Sequence, residues 1–257
     1  MSLFDMSDAV AIVTGSTKGI GKAIAERLCE AGAKVVVSSR KSDVCEAVTA
    51  DINKNIAKNG GQAISIACHV GDDERLQYLV DSTLDKWGKI TTLVANAAVN
   101  PYHGPSSGIP DSAFEKILDI NVRSTFKLCH LVLPHMAQRN EGAIIIIASI
   151  AGLKGSTDLG AYAISKVAEH QLARNLAVEY GQHNIRVNAI APGLIKTDFA
   201  KALWTDPVRL ERVSSQLPLR RIGAPDEIAG TAVWLASAAG AYVTGQVINV
   251  DGGSAVV

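Results

Sequence analysis

The chain has 257 residues, of which 47% are hydrophobic, so it can bury a large core in one or two domains. Equal numbers of basic and acidic residues, 25 each, give a formal net charge of zero without an extended basic run, which argues against nucleic acid as a partner. The longest aliphatic run, residues 143–148, is too short to cross a bilayer, and the start lacks the segments of a signal peptide.

These bounds predict a soluble, cytoplasmic protein that makes no membrane contact. The sequence contains no internal repeat, linker or low-complexity tract, so we expect a single domain over residues 1–257. Its four cysteines show no Cys-x-x-Cys spacing and its six histidines form no His-x-x-x-His pair. We therefore expect buried or idle thiols and no metal site.

A glycine-rich turn follows the first predicted strand. Residues 9–14 are apolar and β-branched, Gly15, Gly19 and Gly21 come next, and an amphipathic stretch then runs to Gly32. Strand, glycine turn and helix in this order present free N–H groups to anionic oxygens, so a cofactor phosphate is expected here. The alternative is a turn with a structural role alone. The predicted contacts in this turn are Gly15, Ser16, Thr17, Lys18, Gly19 and Ile20.

The end of the second predicted strand, residues 34–39, bears on the choice of cofactor. Sites that select NAD usually place a carboxylate here to hold the ribose 2′-hydroxyl. This chain instead has Ser39, followed by Arg40 and Lys41. A guanidinium binds a 2′-phosphate with two charge-assisted hydrogen bonds, whereas an acid repels it. We therefore predict NADP(H), with Arg40 and Lys18 on the phosphate; the alternative is a solvated basic turn.

The middle of the chain continues the alternation of strands and helices. The predicted elements are a helix over 43–58, a strand over 63–68, a helix over 72–87 and a strand over 91–95. Asn96 and Ala97 follow the last of these strands, where small residues let a flat ring approach the backbone. Residues 100–110 contain three prolines and are expected to form a loop at the rim of the substrate pocket.

Two polar residues stand out in the next predicted elements. A long helix over 111–135 contains Asn121, a residue type that is unfavourable inside a helix and most often lies at the surface. The fully apolar run 143–148 is typical of a buried parallel strand, and Ser149 follows it directly. Because ligands bind beyond the carboxyl ends of such strands, Ser149 is placed where chemistry is expected.

A helix carrying Tyr162 and Lys166 comes next. The two side chains are one turn apart and emerge on one face, while Ile164, Ala168 and Leu172 are predicted to form the apolar stripe that seats the helix. A phenol titrates near 10, so a tyrosine that exchanges protons near neutrality needs a nearby positive charge, which the lysine supplies. The pair alone arises by chance in roughly one chain in four, so its context has to decide.

The last part of the chain contains the least regular segment. A strand over 185–191 precedes Pro192, and residues 194–223 combine apolar side chains with two prolines. This pattern suits a lid over the substrate, although an ordinary packed loop and helix fits equally well. A final helix over 225–236 and a strand over 246–250 complete the prediction.

Taken together, these motifs resemble the short-chain dehydrogenase/reductase family over essentially the whole chain. The resemblance rests on residues 14–21, Asn121, Ser149, Tyr162-x-x-x-Lys166, and Pro192-Gly193 with Thr197. Within that family, residues 35–41, 96–101 and 191–197 are most similar to the NADPH-dependent carbonyl and retinal reductase subgroup.

The resemblance implies an α/β fold: a single-domain, Rossmann-type, doubly wound parallel sheet of about seven strands with helices on both faces, usually in a homotetramer. It implies that Tyr162 is the general acid in reduction and the general base in oxidation, and that Lys166 lowers its pKa and holds the nicotinamide ribose. Ser149 would bind the substrate oxygen, and Asn121 would help to hold a water that relays protons. The further cofactor contacts implied or predicted are His69, Val70, Asn96, Ala97, Pro192, Gly193, Ile195 and Thr197.

Two positions depart from the family pattern. The family commonly has Asn-Asn-Ala-Gly after the fourth strand, where this chain has Ala95-Asn96-Ala97-Ala98. The acidic residue often found after the third strand, near the adenine, is replaced by His69. Both departures concern the adenine side of the site and leave the catalytic set intact.

We therefore predict an NADP(H)-dependent oxidoreductase that moves a hydride between the nicotinamide and a ketone, an aldehyde or a secondary alcohol. One alternative is reduction of a carrier-linked 3-oxoacyl group, with Lys127 and Arg174 contacting an acidic carrier protein. Another is a non-catalytic NADP(H)-binding protein. Sugar-nucleotide epimerases share the Tyr-x-x-x-Lys pair but have longer chains and a different glycine spacing, so they rank last.

Overall fold

The predicted alternation forms one parallel sheet in a computed structural model that describes residues 2–257, apart from the side chains of residues 202 and 209. Within that range the sheet has seven strands, the number that the family resemblance implies, and their order is β3-β2-β1-β4-β5-β6-β7. The strands are β1 (Val10–Thr14), β2 (Lys34–Ser38), β3 (Gln62–Ser65), β4 (Thr92–Ala95), β5 (Gly142–Ile147), β6 (Ile185–Pro192) and β7 (Val247–Val250).

Helices cover both faces of the sheet. They are α1 (Gly19–Glu30), α2 (Ser42–Asp51), α3 (Asp73–Trp87), α4 (Asp111–Ile117), α5 (Ser124–Arg139), α6 (Gly160–Tyr180), α7 (Lys201–Trp204), α8 (Pro207–Ser214) and α9 (Pro225–Ala236). On one face, α1 and α9 share a core with β1 and β2. On the other, α3, α5 and α6 pack against the same sheet. A strand covered on both sides must be apolar throughout, which explains why every residue of β5 is buried.

The strand order reverses between β1 and β4, and this reversal positions the site. Val13 of β1 pairs with Val37 on one side and Val94 on the other, and all strands are parallel. The connections that follow β1 and β4 therefore lead to opposite sides, which opens a crevice at the carboxyl ends of the strands.

The predicted helix over 111–135 is interrupted. A π-helical turn, Leu118–Arg123, separates α4 from α5 and contains Asn121. Such a turn adds a residue to the helix and changes the direction of the side chains within it. Asn121 is completely buried, unlike most asparagines within helices.

The apolar stripe that was predicted to pack α6 against the rest of the protein is wrong. Ile164 is 54% exposed, and Ala168 and Leu172 are only partly buried. The buried face of the helix consists of Ala161, Ser165, Lys166, Glu169, His170, Ala173, Leu176 and Ala177. Small residues on this face let the helix lie close to its neighbours, so the ionisable side chains among them are carried into the interior.

The segment 194–223 contains α7 and α8, and its two ends are joined. Ile195 forms a parallel bridge with Gly223, in which the Lys196 N–H donates to the Gly223 carbonyl at 2.9 Å and the Gly223 N–H donates to the Leu194 carbonyl at 3.0 Å. Nowhere in residues 2–257 does a helix have both the length and the apolarity needed to span a membrane.

Candidate active site

A cavity of about 590 Å³ lies at the carboxyl ends of the strands. It brings together most of the predicted site residues: Gly15, Thr17, Lys18, Gly19, Ile20, Ser39, Arg40, His69, Val70, Asn96, Ala97, Ser149, Tyr162, Lys166, Pro192, Gly193, Ile195 and Thr197. Ser16, Lys41 and Asn121 are not among its lining residues.

The glycine turn forms the floor of one end of this cavity. Gly15 has a φ of 64°, and a Cβ on Gly21 would lie 2.4 Å from the Asn96 amide nitrogen and 2.5 Å from the Gly15 carbonyl. Asn96 fixes the turn by donating to the Thr14 carbonyl at 2.8 Å. The helix that follows, α1, has no side-chain cap and no acidic residue in its first turn. Its free N–H groups and the positive end of its dipole fit a phosphate of a dinucleotide.

Two predicted cofactor contacts lie outside the cavity. The Ser16 side chain is fully buried: its hydroxyl donates to the Val13 carbonyl at 2.7 Å and accepts from the Ser38 N–H at 2.8 Å. Ser16 therefore ties β1 to β2 from behind the turn. Lys41 is exposed, immediately precedes α2 and does not line the cavity.

Ser39 and Arg40 line the cavity beyond β2, with Lys18 nearby in the lining. The Lys18 ammonium lies 3.8 Å from the Asp198 carboxylate, and both side chains are about 70% exposed. An ion pair with this much solvent exposure contributes little to the stability of the fold. Lys18 can therefore exchange Asp198 for a more strongly charged anion at little cost. Neither residue at the end of β2 carries a carboxylate that would repel a 2′-phosphate.

Ser149, Tyr162 and Lys166 meet at the other end of the cavity. Ser149 and Tyr162 both line this end, and the Ser149 side chain acts to lower the pKa of the Tyr162 hydroxyl. The Lys166 ammonium lies 5.3 Å from the centre of the Tyr162 ring. The Ser149 oxygen also accepts from the Ala151 N–H at 3.1 Å, which fixes its position at the end of β5.

Lys166 has a partner that the sequence analysis did not identify. Its ammonium donates to the Glu169 carboxylate at 2.8 Å and to the Ile147 carbonyl at 3.1 Å. The two side chains are 1% and 2% exposed. Burial lowers the pKa of Lys166, but the facing Glu169 and Tyr162 outweigh it, so the pKa lies above its ordinary value. Burial raises the pKa of Glu169 to about 7, against the opposing effect of Lys166.

The pKa of Tyr162 differs from the expectation that the neighbouring Lys166 lowers it. Burial raises it above its ordinary value, Lys166 and the Ser149 side chain lower it, and Glu169 raises it. The net direction is upward. The positive potential of Lys166 is present as predicted, but the neighbouring carboxylate cancels part of it.

His170 lies beneath the turn that carries Ser149. A Cβ on Gly152 would meet its Cε1 atom at 2.8 Å, so the ring packs closely against this turn. Burial lowers its pKa to about 4, with Arg174 and Lys166 acting in the same direction. Among the described residues, its Nε2 atom has no hydrogen-bond partner. A neutral His170 therefore supports the turn.

Comparisons with known proteins agree with this geometry. A family model described as enoyl-(acyl carrier protein) reductase matches residues 15–255. Dehydrogenase/reductase SDR family member 4 from Bos taurus is 42% identical over 252 residues, which cover 97% of this chain and 88% of that protein. The chain belongs to the short-chain dehydrogenase/reductase family. It is therefore an oxidoreductase that acts on alcohol or carbonyl groups.

Solved structures of short-chain dehydrogenases and reductases share the fold. A 7α-hydroxysteroid dehydrogenase complexed with NADH and 7-oxo glycochenodeoxycholic acid is 37% identical, with a TM-score of 0.90 and coverage of 97% of this chain and 95% of that one. A gluconate 5-dehydrogenase from Burkholderia cenocepacia J2315 in complex with NADP and tartrate is 28% identical, with a TM-score of 0.93 and coverage of 99% and 98%. These relatives hold different nicotinamide cofactors.

Asn121, the remaining member of the set that the family resemblance implies, supports the site from behind. Its amide oxygen accepts from the Val99 N–H at 2.9 Å, and its amide nitrogen donates to the Val99 carbonyl at 3.1 Å and to the Ser165 hydroxyl at 3.0 Å. The Ser165 hydroxyl in turn donates to the Tyr162 carbonyl at 2.7 Å. Asn121 thus connects the loop after β4 to the turn of α6 that carries Tyr162.

An apolar wall faces Tyr162 across the cavity. The Phe199 ring centre lies 6.1 Å from that of Tyr162, and Leu159 and Leu203 also line the space. Asn100 and His103, from the predicted rim loop, contribute polar groups, and their side-chain nitrogens lie 3.3 Å apart. The space beside the reactive groups suits an apolar molecule with a polar end.

The proposed carrier-protein contacts receive no support from the geometry. The Lys127 ammonium bonds to the Asp73 carboxylate, to which Arg123 also donates. Arg174 lies 3.4 Å from the Gln171 side-chain oxygen. Neither Lys127 nor Arg174 lines the cavity.

Glu169 and His170 are the site residues that sequence reasoning missed. Glu169 follows Lys166 at i+3, a spacing that brings opposite charges together on a helix, so the pairing itself had a sequence signal. Burial of the pair had none, because it depends on the elements that pack over α6. The His170 contact with the Ser149 turn likewise depends on the packing of two separate elements.

Proposed function

We propose that this protein transfers a hydride between NADP(H) and a ketone, an aldehyde or a secondary alcohol, as in the carbonyl and retinal reductase subgroup. The observation that carries the proposal is that Ser149, Tyr162 and Lys166 line one cavity, with the Lys166 ammonium 5.3 Å from the centre of the Tyr162 ring. The other end of the same cavity is formed by the glycine turn, which fits a dinucleotide phosphate.

The side chains divide the reaction between them. When bound, the nicotinamide cofactor supplies or accepts the hydride. In reduction the Tyr162 hydroxyl donates the proton to the carbonyl oxygen, and in oxidation its phenolate accepts the proton of the alcohol. The Ser149 hydroxyl holds the same oxygen and shares its developing charge. The Lys166 ammonium stabilises the phenolate form of Tyr162 by proximity of opposite charge.

Removal of the Tyr162 hydroxyl tests this reaction. We expect Tyr162→Phe to lower kcat by about 10²- to 10⁴-fold, because the proton then has no donor, while cofactor binding stays nearly unchanged. Turnover of a panel of ketones with NADPH, and of alcohols with NADP⁺, measures the loss. Tyr180→Phe on the same helix, outside the cavity lining, is the matched control. Near-normal turnover by Tyr162→Phe would remove it as the proton donor.

The choice of NADP(H) over NAD(H) depends on Arg40. Its position in the cavity lining after β2 supports a contact with the 2′-phosphate, with Lys18 as a second cation. We expect Arg40→Ala to raise the KM for NADPH by about 10- to 100-fold and to leave the KM for NADH nearly unchanged, since only NADPH loses charge-assisted bonds. Lys41→Ala, next in the chain but outside the lining, is the control. A wild-type preference for NADH would contradict this part of the proposal.

The lid and the assembly form the remaining parts of the proposal. Residues 194–223 act as a lid on the single domain 1–257, supported by the bridge that joins the segment's ends and by the contact of Phe199 with Tyr162. Phe199→Ala should raise the substrate KM more than it changes kcat. A homotetramer is supported by exposed apolar side chains on α5 and α6, among them Phe126, Ile164 and Val167, and sedimentation equilibrium of the purified protein tests it.

A further inference from the structure

We propose that Glu169 is a positioning residue of the reaction: its buried carboxylate holds the Lys166 ammonium and opposes the loss of a proton from the Tyr162–Lys166 pair. The inference rests on the proposed function, in which Tyr162 exchanges the proton. Its physical basis is the geometry of three ionisable groups on α6: the buried pair Lys166 and Glu169, and the partly buried Tyr162 that lines the cavity.

The contact between Glu169 and Lys166 is short and shielded from solvent. The ammonium donates to the carboxylate at 2.8 Å, and the side chains are 1% and 2% exposed. An ammonium in such a place is strongly destabilised without a counter-charge, so the carboxylate is what keeps Lys166 charged in the interior. The Ile147 carbonyl, at 3.1 Å, adds a second acceptor and fixes the direction of the ammonium.

The same carboxylate acts on Tyr162. A negative charge near a proton-releasing group makes release harder, and Glu169 raises the pKa of Tyr162 for this reason. Because Tyr162 and Lys166 are close enough to interact, they lose their protons as a coupled pair. Removing the charge of Glu169 lowers the pH of the first proton loss, whichever of the two releases it.

Few other ionisable groups face this carboxylate. On α6 they are Lys166 and Tyr162, while His170 follows directly in the chain and interacts with Lys166 and Arg174. From α5, Cys129 faces it: burial raises the pKa of this thiol to about 12, and Glu169 adds to the shift. A thiol held protonated carries no charge, so Glu169 is the group that offsets Lys166.

A spectroscopic titration tests the assignment without relying on turnover. The near-ultraviolet absorbance of tyrosinate is measured as a function of pH in the full chain and in Glu169→Gln. For each protein, the curve of the same protein with the additional change Tyr162→Phe is subtracted. The difference then reports the ionisation of Tyr162 alone. We expect the midpoint to fall by about one pH unit or more in Glu169→Gln, as the loss of a buried charge near the phenol requires. Glu169→Asp should restore at least half of this shift.

Glu179→Gln is the matched control, because it removes an exposed carboxylate from the same helix and should leave the midpoint unchanged. Should Glu169→Gln fail to fold, the single variant Lys166→Met is compared with the double variant Lys166→Met/Glu169→Met. Neither variant buries an unpaired ammonium. Tyr162 should titrate at lower pH in the double variant. Equal midpoints in a folded pair would overturn the proposal and leave Glu169 as a structural partner of Lys166.

Kinetics separate this inference from the proposed function. In a protein that oxidises alcohols, Glu169→Gln should shift the rising limb of kcat/KM to lower pH by the same amount as the titration. If no substrate turns over in the wild type, the proposed function fails, while the Tyr162 midpoints still decide the role of Glu169.

Discussion

The two ends of the cavity are held by different forces. At the glycine end, close contacts between backbone atoms set the shape, and the charged side chains are open to water, as in the Lys18–Asp198 pair at about 70% exposure. At the catalytic end, Lys166 and Glu169 are about 98% buried and hold each other. The shape of the glycine end depends on the small volume of its glycines, and the structure of the catalytic end depends on the pairing of its buried charges.

This difference predicts different sensitivities. Added volume should damage the glycine end at any pH, because a backbone contact cannot be titrated. Changes of charge or pH should damage the catalytic end, because buried ions are stable only as partners. Substitutions that act on one end alone therefore test the comparison.

The largest effect is expected for Gly21→Ala. Its Cβ would lie 2.4 Å from the Asn96 amide nitrogen and 2.5 Å from the Gly15 carbonyl, distances that real contacts do not reach. The turn must shift, and we expect cofactor affinity to fall by at least about 100-fold, measured by quenching of protein fluorescence. Gly230→Ala on α9, where a Cβ meets no neighbour, is the control and should stabilise the fold by about 0.5–1 kcal/mol. Equal binding by both variants would contradict the assignment of the turn.

Next in size is Lys166→Met, which leaves the Glu169 carboxylate buried without a partner. We expect a loss of about 3–5 kcal/mol in the free energy of unfolding at pH 8. The loss should shrink as the pH falls toward 5, because Glu169, whose pKa is already raised to about 7, then takes up a proton. Urea unfolding at both pH values measures it. Lys18→Ala, which breaks the exposed pair, should cost about 0–1 kcal/mol at either pH.

A smaller effect is expected from His170, whose pKa is lowered to about 4 by burial. The unfolded chain binds a proton near the ordinary value of 6.5 and the folded chain does not, so stability falls as the pH drops from 6.5 to 4. The full difference corresponds to about 3 kcal/mol. His170→Asn keeps a polar side chain beside the Ser149 turn without this titration, so its stability should depend less on pH. An unchanged acid dependence, equal to that of a His135→Asn control, would contradict the prediction.

Much of the fold followed from local patterns. The order of strands and helices is confirmed, and the final helix, Pro225–Ala236, has the predicted bounds because proline at a helix start and acidic residues behind it are local signals. The third strand ends at Ser65, earlier than predicted, although the backbone beyond it still bonds to β2. The helical segment over 111–135 is confirmed, but the π-helical turn within it, around Asn121, leaves no pattern in the residue types.

The failures at α6 have a common cause. The sequence pattern predicts Ile164 on the buried face of α6 because apolar residues usually lie inside. The buried face instead contains Ala161, Ser165 and Ala173. Their small side chains allow an approach that larger residues would prevent. A single helical sequence does not show how close its neighbours come.

The sequence by itself determined the family, the sequential order of the elements and the identity of Ser149, Tyr162 and Lys166, because spacing along a helix and turn chemistry at strand ends are local properties. Only the tertiary structure decided that Lys166 faces a buried Glu169, that Asn121 ties the loop after β4 to α6, and that Ser16 lies behind the turn. The physical reason is that burial, and with it the cost of an unpaired charge, is set by strands and helices distant in the chain.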